Sequence, residues 1–363
     1  MLEDEIGNDD FRADSFHFFK KAAPHEKMSA WVVIKAFGNY VQQNADLELV
    51  VRMIIGCKYQ DEVNKSFENA FIDLIHGDII DADGLDYVKR DSWASGYSTA
   101  SVDSERLISA IRVHCGEDGK WQVCYSPKAL NEIEAVLAVK TYQQKNVITH
   151  HTVVFEQALL KKAMESAAMY HFGYPDTEDK EIRKNALEQL CDVDAYLSEI
   201  KLGSSKVPLI YPDDDFISLM KYTHNDKYVK QWLSRNYEYV PLWKSTAEFF
   251  ALFPIMHKML YSSNCWLFSD KCKEFICKET GTNIFDVWSL EATGTDKGVK
   301  ASKVNFLIDD KVIPYTDIYS DDKNCYEFKA KPFRYIFIHK SLKDQIPSLI
   351  GKLRSQVEYH LFG

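Results

Sequence analysis

Residues 81–96, DADGLDYVKRDSWASG, place four aspartates, a tyrosine and an arginine in one short segment. On an α-helix, positions 83, 87 and 91 lie four residues apart, so Asp83, Tyr87 and Asp91 form one stripe that faces the same volume. Two carboxylates and a phenol on one face supply oxygens that suit a metal ion and a sugar hydroxyl. The segment therefore predicts a helix that carries a polar binding site.

The spacing of this segment also allows two simpler interpretations. Asp86 and Arg90, also four residues apart, are typical of a surface ion pair, which contributes about 0.2–0.5 kcal/mol. Asp83 lies in the turn-like sequence GDIIDADG and is followed by Gly84, so it could instead be the N-cap of the helix.

The composition is that of a globular protein with a large core. The chain has 363 residues, of which 46% are hydrophobic, and this length allows one large domain and a smaller one. Its 44 lysines and arginines are outnumbered by 54 aspartates and glutamates, which gives a formal net charge of −10. This balance argues against duplex nucleic acid as a partner, because no basic face for phosphates is implied.

The cysteines and the first residues predict a cytoplasmic protein. Eight cysteines are scattered without the close pairs of a structural zinc site, as expected for free thiols in a reducing compartment. The opening MLEDEIGNDD is acidic where a signal peptide is basic and then apolar. No apolar run reaches the length that crosses a bilayer, so no membrane partner is expected.

The first two-thirds of the chain has the apolar spacing of helices. Between Ser126–Pro127, which suit a helix start, and Gly173, which suits a stop, apolar residues recur with helical spacing. This pattern predicts either one long helix or two shorter helices joined by a kink.

After about residue 240 the pattern changes to the alternation typical of strands. Apolar and polar residues alternate in KVNFLIDD, KVIPYTDIY, CYEFKAK and FRYIFIHK, which are rich in β-branched and aromatic types. A final amphipathic helix is predicted in SLKDQIPSLIGKLRSQVEYHLF. The sequence therefore predicts helical residues 1–240 and a C-terminal α+β region over residues 241–363.

The segment DGLDYVKRD, residues 83–91, resembles the D-x-x-D-Y-x-x-R-D signature of HD-domain deoxynucleoside triphosphate triphosphohydrolases. This dGTPase-like family includes the SAM-and-HD-domain dNTPases. Three other segments follow in the family's order: PHEKMSAWVVI is similar to its H-E-x-x-S segment, Lys140, Val147 and His150 fall on the spacing of its R-x₆-V-Y-x-H helix, and FISLMKYTHNDKYVKQWLSRNYEY is similar to its helix–loop–helix. Together these segments cover roughly residues 1–245.

The resemblance implies a fold and an assembly. We expect a mainly α protein: an HD-domain-like helical bundle over residues 1–240, lacking its first helices, with a smaller C-terminal α+β region. The family commonly assembles into oligomers, so a homo-oligomer or a complex with a protein partner is expected.

The resemblance also implies a chemistry, the metal-assisted cleavage of a deoxynucleoside triphosphate to deoxynucleoside and intact triphosphate. Asp83 matches the last metal ligand of the family. Tyr87 and Asp91 match positions that contact the deoxyribose, and Lys140 matches an arginine that contacts the phosphates. His25 matches a histidine close to the catalytic centre.

The chain departs from the family at several of these positions. Asp4 and Glu5 stand where a histidine and an aspartate are expected, and Gln144 replaces a histidine on the phosphate helix. A carboxylate set made of Asp4, Glu5 and Asp83 would favour a hard divalent metal such as Mg²⁺ or Mn²⁺ over the Fe²⁺ that imidazole ligands suit.

Two hypotheses of different classes follow from this mixture. In the first, the protein is a divergent or N-terminally shortened dNTP triphosphohydrolase, with His25 and Asp83 as catalytic residues and with Tyr87, Asp91, Lys140 and Gln144 binding the substrate. In the second, it is a catalytically silent relative that binds a nucleotide or a partner protein and acts as a regulator.

Overall fold

The computed structural model describes residues 22–77, 80–96, 102–175, 177–191, 199–202, 205–208, 213–258, 266–292, 304–318 and 333–362. Its α-helices are α1 (Pro24–Asn44), α2 (Leu47–Ile55), α3 (Ser66–Ile75), α4 (Ala82–Ala94), α5 (Ser104–Ser109), α6 (Leu130–Gln143), α7 (His151–His171), α8 (Lys180–Leu190), α9 (Asp213–Tyr222), α10 (Lys227–Ser234), α11 (Thr246–Leu252), α12 (Asp270–Thr280), α13 (Tyr315–Ile318) and α14 (Ile346–Phe362). Its strands are β1 (Ile111–Cys115), β2 (Trp121–Tyr125), β3 (Glu199–Leu202), β4 (Ser205–Pro208), β5 (Tyr239–Pro241), β6 (Val287–Ala292), β7 (Asn305–Ile308), β8 (Lys311–Pro314) and β9 (Phe333–His339). The predicted fold class, mainly α with a smaller α+β part, is confirmed.

The described residues belong to two compact units that interleave along the chain. The first unit takes its residues from 1–143, 198–209 and 297–329, and the second from 144–197, 210–296 and 330–363. The sequence predicted a single boundary near residue 240. The division differs because strands distant in sequence pair within each unit, as Tyr125 of β2 does with Phe306 of β7.

The first unit contains the four-stranded sheet β1-β2-β7-β8 and the hairpin β3-β4. β1 and β2 pair antiparallel from Ile111 opposite Tyr125 to Cys115 opposite Trp121. The sequence predicted β7 and β8 but missed β1 and β2, because two five-residue strands inside a helical region carry a weak periodic signal. In the core of the first unit, α5, α6 and this sheet pack around buried apolar side chains, namely Leu107, Ile133, Val136, Leu137 and Phe306.

The second unit is built on the three-stranded antiparallel sheet β5-β9-β6, in which β6 is an edge strand. Phe155 of α7 lies against the sheet with a 2% exposed side chain. Its ring contacts four others, with centroid distances of 4.9 Å to Phe337, 5.4 Å to Trp288, 5.5 Å to Tyr237 and 5.9 Å to Tyr239. The predicted strand at 333–340 and the predicted C-terminal helix, α14, are both confirmed.

The long helical pattern between residues 126 and 173 forms two helices. α6 ends at Gln143, a π-helical turn covers Gln144–Ile148, and α7 begins at His151. His150 is the N-cap of α7, and its Nδ1 accepts a hydrogen bond from the backbone N–H of Thr152 at 3.3 Å. A π-bulge is one of the recognised causes of a break in a helix. Of the two predicted alternatives, the pair of shorter helices is correct.

A buried arginine joins α8 to α7 in the second unit. Arg183 is 2% exposed, and its guanidinium donates to Glu165 Oε2 at 3.3 Å and to Ser166 Oγ at 2.5 Å. It also donates to the carbonyl oxygens of Lys162 and Thr177. Because the charge is paired and the donors are used, this buried group holds the two helices in one register.

None of the described helices combines the length and the apolar character that crossing a bilayer requires.

We expect Phe155→Ala to lower the free energy of unfolding by about 3–5 kcal/mol, because it leaves a cavity among four aromatic rings. Tyr170→Ala on the same helix is the control: this side chain is 65% exposed, and its loss should change stability by less than about 0.5 kcal/mol. Urea denaturation followed by circular dichroism measures both. Equal losses in the two variants would contradict the assignment of Phe155 to the core.

Candidate functional site

The polar segment of residues 81–96 contains helix α4, which begins at Ala82, one residue before Asp83. Asp81 is the N-cap, and its side chain accepts a hydrogen bond from the backbone N–H of Gly84 at 2.6 Å. The interpretation of Asp83 as the N-cap is therefore wrong. Asp83 lies in the first turn of α4, where a carboxylate complements the positive end of the helix dipole.

Lys140 of α6 lies beside the start of α4. Its Nζ is 3.9 Å from Asp81 Oδ1, and the Lys140 side chain is 11% exposed. The same ammonium is 5.3 Å from the centroid of the Tyr87 ring, which is cation–π range. The structure thus brings together two predicted site residues, Tyr87 and Lys140, and adds Asp81, which the sequence assigned only to a turn.

The small size of Gly84 permits this approach. A Cβ atom at position 84 would meet both Lys140 Nζ and Asp81 Oδ1 at less than a normal contact distance. The glycine is buried in the first turn of α4. Its role in this sequence is therefore to leave room for the lysine rather than to relax the backbone.

Burial shifts the pKa values of both central groups. Burial lowers the pKa of the Lys140 ammonium, and the carboxylates of Asp81 and Asp83 only partly oppose that shift. Burial also raises the pKa of the Tyr87 phenol to about 12, with further contributions from Asp81, Asp83 and Asp91. At neutral pH Tyr87 is therefore a protonated phenol that can donate a hydrogen bond.

The two ends of the predicted stripe are more exposed than its centre. Asp83 and Asp91 are exposed, whereas Tyr87 between them is half-buried. The Asp91 carboxylate lies 3.3 Å from Arg90 Nε. The predicted surface ion pair is confirmed, since Arg90 Nη1 is 2.8 Å from Asp86 Oδ2 and both side chains are at least 60% exposed.

A second contact between α6 and α4 was missed by the sequence analysis. The buried Gln143 donates from Nε2 to the carbonyl oxygen of Val88 at 3.1 Å and to Ser92 Oγ at 2.9 Å. Positions 143 and 144 both lie within one turn of Lys140, so helical spacing alone did not distinguish them. Gln144, the predicted substrate contact, lies in the π-helical turn, and its buried Nε2 has no hydrogen-bond partner among the described residues.

The other predicted catalytic residue, His25, lies in the first turn of α1. Its side chain is 82% exposed, and its Nε2 is 4.0 Å from Glu26 Oε1. Glu26 also closes the start of α1, where its carboxylate accepts from the backbone N–H of Ala23 at 2.6 Å. His25 is therefore a solvent-facing group whose part in catalysis stays a prediction.

The predicted metal site, Asp83 with Asp4 and Glu5, stays a prediction. Asp4 and Glu5 lie outside the described residues, and within those residues no three histidines, cysteines, aspartates or glutamates come together as a metal site requires. Asp83 by itself supplies one carboxylate, whereas resident metal ions take several ligands. The described residues alone therefore do not complete a metal site at Asp83.

Comparisons with known proteins show that this chain is similar in fold to a solved structure. No family model matches the chain. The uncharacterized protein MJ1154 of Methanocaldococcus jannaschii is 30% identical over 91 residues, which is 25% of this chain, and the match spans only about a fifth (20%) of that relative's length.

Among solved structures, a hypothetical protein from Aquifex aeolicus superposes with a TM-score of 0.57 at 17% identity, covering 91% of this chain and 73% of that one. The phosphohydrolase BT4208 from Bacteroides thetaiotaomicron has a TM-score of 0.49 at 15% identity, with coverage of 89% and 75%. The Aquifex protein shares the fold of this chain, and the similarity to BT4208 is too low to carry an argument about function.

We expect Gly84→Ala to lower the free energy of unfolding by about 0.5–2 kcal/mol, the usual cost of losing an N-cap, because Asp81 and Lys140 would have to move. Gly351→Ala on α14 is the matched control, since a Cβ there meets nothing within 4 Å. That control should gain about 0.5–1 kcal/mol from better helix propensity. A gain of equal size in both variants, measured by urea denaturation, would contradict the close approach of Lys140 to α4.

Proposed function

We propose that this protein binds a deoxynucleoside triphosphate at the α4–α6 site, defined by Asp81, Tyr87 and Lys140. In this proposal the Lys140 ammonium contacts a phosphate oxygen and the Tyr87 ring packs against the deoxyribose. Asp91, one turn further along α4, accepts a hydrogen bond from a sugar hydroxyl. These roles follow the resemblance of residues 83–91 to the dGTPase-like signature.

The observation that carries the proposal is the burial of the Lys140 ammonium at the start of α4. Removing a charged group from water costs free energy unless it is closely paired. Lys140 Nζ lies 3.9 Å from Asp81 Oδ1 and 5.3 Å from the centroid of the Tyr87 ring. A buried lysine whose pKa is lowered beside carboxylates and an aromatic ring is typical of a functional site, where the ammonium can contact a bound anion.

The charge of the site also bears on what part of a nucleotide it can accept. Asp81, Asp83 and Asp91 lie around Tyr87 closely enough to raise its pKa. These carboxylates repel phosphates but accept hydrogen bonds from sugar hydroxyls. The charge of the site therefore favours a sugar at the Tyr87–Asp91 end and a single phosphate contact at Lys140.

Hydrolysis of the bound nucleotide is the further activity that the resemblance implies. The reaction would release deoxynucleoside and triphosphate, with Asp83 and His25 acting beside a divalent metal, Mg²⁺, Mn²⁺ or Fe²⁺. The second candidate function is binding without turnover, as in a regulatory relative. It is favoured by one observation, that no group of three or more histidines, cysteines, aspartates or glutamates able to hold a metal ion forms among the described residues.

We expect Lys140→Met to weaken dNTP binding by at least about tenfold, or about 1.4 kcal/mol, without lowering the free energy of unfolding. The free energy of unfolding should not fall because burial disfavours the Lys140 ammonium more than the carboxylates of Asp81 and Asp83 favour it. Lys89→Met, at an exposed position of α4, is the control and should leave binding unchanged. Isothermal titration calorimetry with each of the four dNTPs measures the affinity, and unaltered affinity in Lys140→Met would refute the proposal.

Turnover is tested by measuring triphosphate release from the four dNTPs with Mg²⁺, Mn²⁺ or Fe²⁺. If the protein is a hydrolase, Asp83→Ala should abolish release, whereas Asp86→Ala, which removes only a surface ion pair, should retain it. Binding without release in the wild-type protein would select the regulatory function. Release that survives Asp83→Ala would exclude Asp83 from catalysis.

A further inference from the structure

The second unit contains a cavity to which none of the α4–α6 site residues contributes. Its volume is about 180 Å³. Side chains of α7, α8, α10 and α12 surround it together with the edge strand β6 and the residues before β6. The lining residues are Lys162, Glu178, Lys180, Tyr228, Lys273, Phe285, Val287, Trp288, Ser289 and Leu290. We call it the lysine cavity, after Lys162, Lys180 and Lys273.

The lysine cavity is basic although the chain as a whole is acidic, with a formal net charge of −10. Three of its lining residues are lysines and one is a glutamate. The Glu178 carboxylate is already paired. It lies 3.1 Å from Lys227 Nζ and accepts a hydrogen bond from the Tyr228 hydroxyl at 3.2 Å. The negative charge of Glu178 is therefore largely offset outside the set of lysines.

The three lysines of the cavity differ in their ion pairs. Lys162 pairs with Glu165 at 3.0 Å, but neither Lys180 nor Lys273 makes an ion pair with any residue that the structure describes. Lys273 is half-buried on α12. Burial lowers the pKa of its ammonium and the charge of Lys180 lowers it further, while Cys277 and Asp270 oppose the shift to a smaller extent. The half-buried Lys273 thus lies close to the like charge of the exposed Lys180, an arrangement that a bound anion would relieve.

The rest of the lining is aromatic and apolar. Tyr228 and Trp288 are almost fully buried, with 3% and 9% exposure, and their rings pack at a centroid distance of 6.0 Å. Phe285, which is 45% exposed, stands at the rim. Flat, rigid side chains of this kind favour planar ligands, whose faces and edges they contact without losing much conformational entropy.

We propose that the lysine cavity binds a small anion that carries one aromatic ring. The carboxylate or phosphate of the ligand lies between Lys180 and Lys273, and its ring lies between Phe285 and the Tyr228–Trp288 pair. The cavity is smaller than the roughly 300–1,000 Å³ of sites that hold drug-sized ligands. A single ring with one anionic group is therefore the size of ligand that it accommodates.

The test uses the full chain and calorimetry at low ionic strength with four probes: phenyl phosphate, benzoate, benzyl alcohol and inorganic phosphate. We expect at least one of the two aromatic anions to bind, and to bind more tightly than either benzyl alcohol or inorganic phosphate. The better of phenyl phosphate and benzoate identifies the anionic group. Binding of benzyl alcohol or of inorganic phosphate as tight as that of the better aromatic anion would overturn the proposal.

Matched double variants assign the binding to the cavity. Lys180→Met with Lys273→Met should weaken binding of the aromatic anion at least tenfold. Lys184→Met with Lys278→Met alters exposed lysines of the same two helices, α8 and α12, and should have no effect. An equal effect of the two double variants would show that only general surface charge is involved and would overturn the proposal.

Two single variants separate the remaining contributions. Phe285→Ala should weaken binding of the aromatic anion while leaving the thermal unfolding temperature unchanged, since this ring is exposed at the rim. Lys140→Met should leave binding of the aromatic anion unchanged, because Lys140 belongs to the first unit. Loss of binding in Lys140→Met would overturn the assignment to the lysine cavity whatever the outcome of the dNTP experiments.

Discussion

The close approach of the Lys140 ammonium to the start of α4, with little access to water, is the contact around which the α4–α6 site is arranged. Gly84 leaves room for it, because a Cβ there would meet the ammonium and the Asp81 cap together. This approach also places Tyr87 under a positive charge, while the hydrogen bonds of Gln143 fix the next turn of α6 to α4. The acidic segment is thus organised by a group on a different helix.

In the second unit, two cationic sites differ in how the free-energy cost of burying a positive charge is offset. Arg183 is buried and fully engaged by a carboxylate, a hydroxyl and two carbonyl oxygens, which makes it a structural group. Lys273 is half-buried beside the exposed Lys180 in a partly apolar cavity, and neither lysine makes an ion pair with a described residue. Because the charge of Arg183 is paired internally and that of Lys273 is not, the lysine cavity rather than the Arg183 site is suited to an external anion.

The aromatic residues of the second unit serve both its core and its cavity. Trp288 packs against Phe155 on the side of the sheet and contributes to the lining of the lysine cavity. β6, the strand that carries Trp288, lies at the edge of its sheet. A ligand in the cavity would therefore contact side chains that the core already holds rigid, which lowers the entropic cost of binding.

The sequence by itself determined the helical character of the chain, the strands near residues 305–314 and 333–339, and the Asp86–Arg90 pair, and it left open whether residues 126–173 form one helix or two. Each of these depends on local periodicity or on residues four apart, which a sequence displays directly. It did not determine the N-cap at Asp81, the role of Gln143, the interleaving of the two units or the lysine cavity. The N-cap is a local choice between two nearby aspartates, which the spacing alone did not decide. The other features depend on strands or side chains that are distant in sequence, and only tertiary packing brings them together.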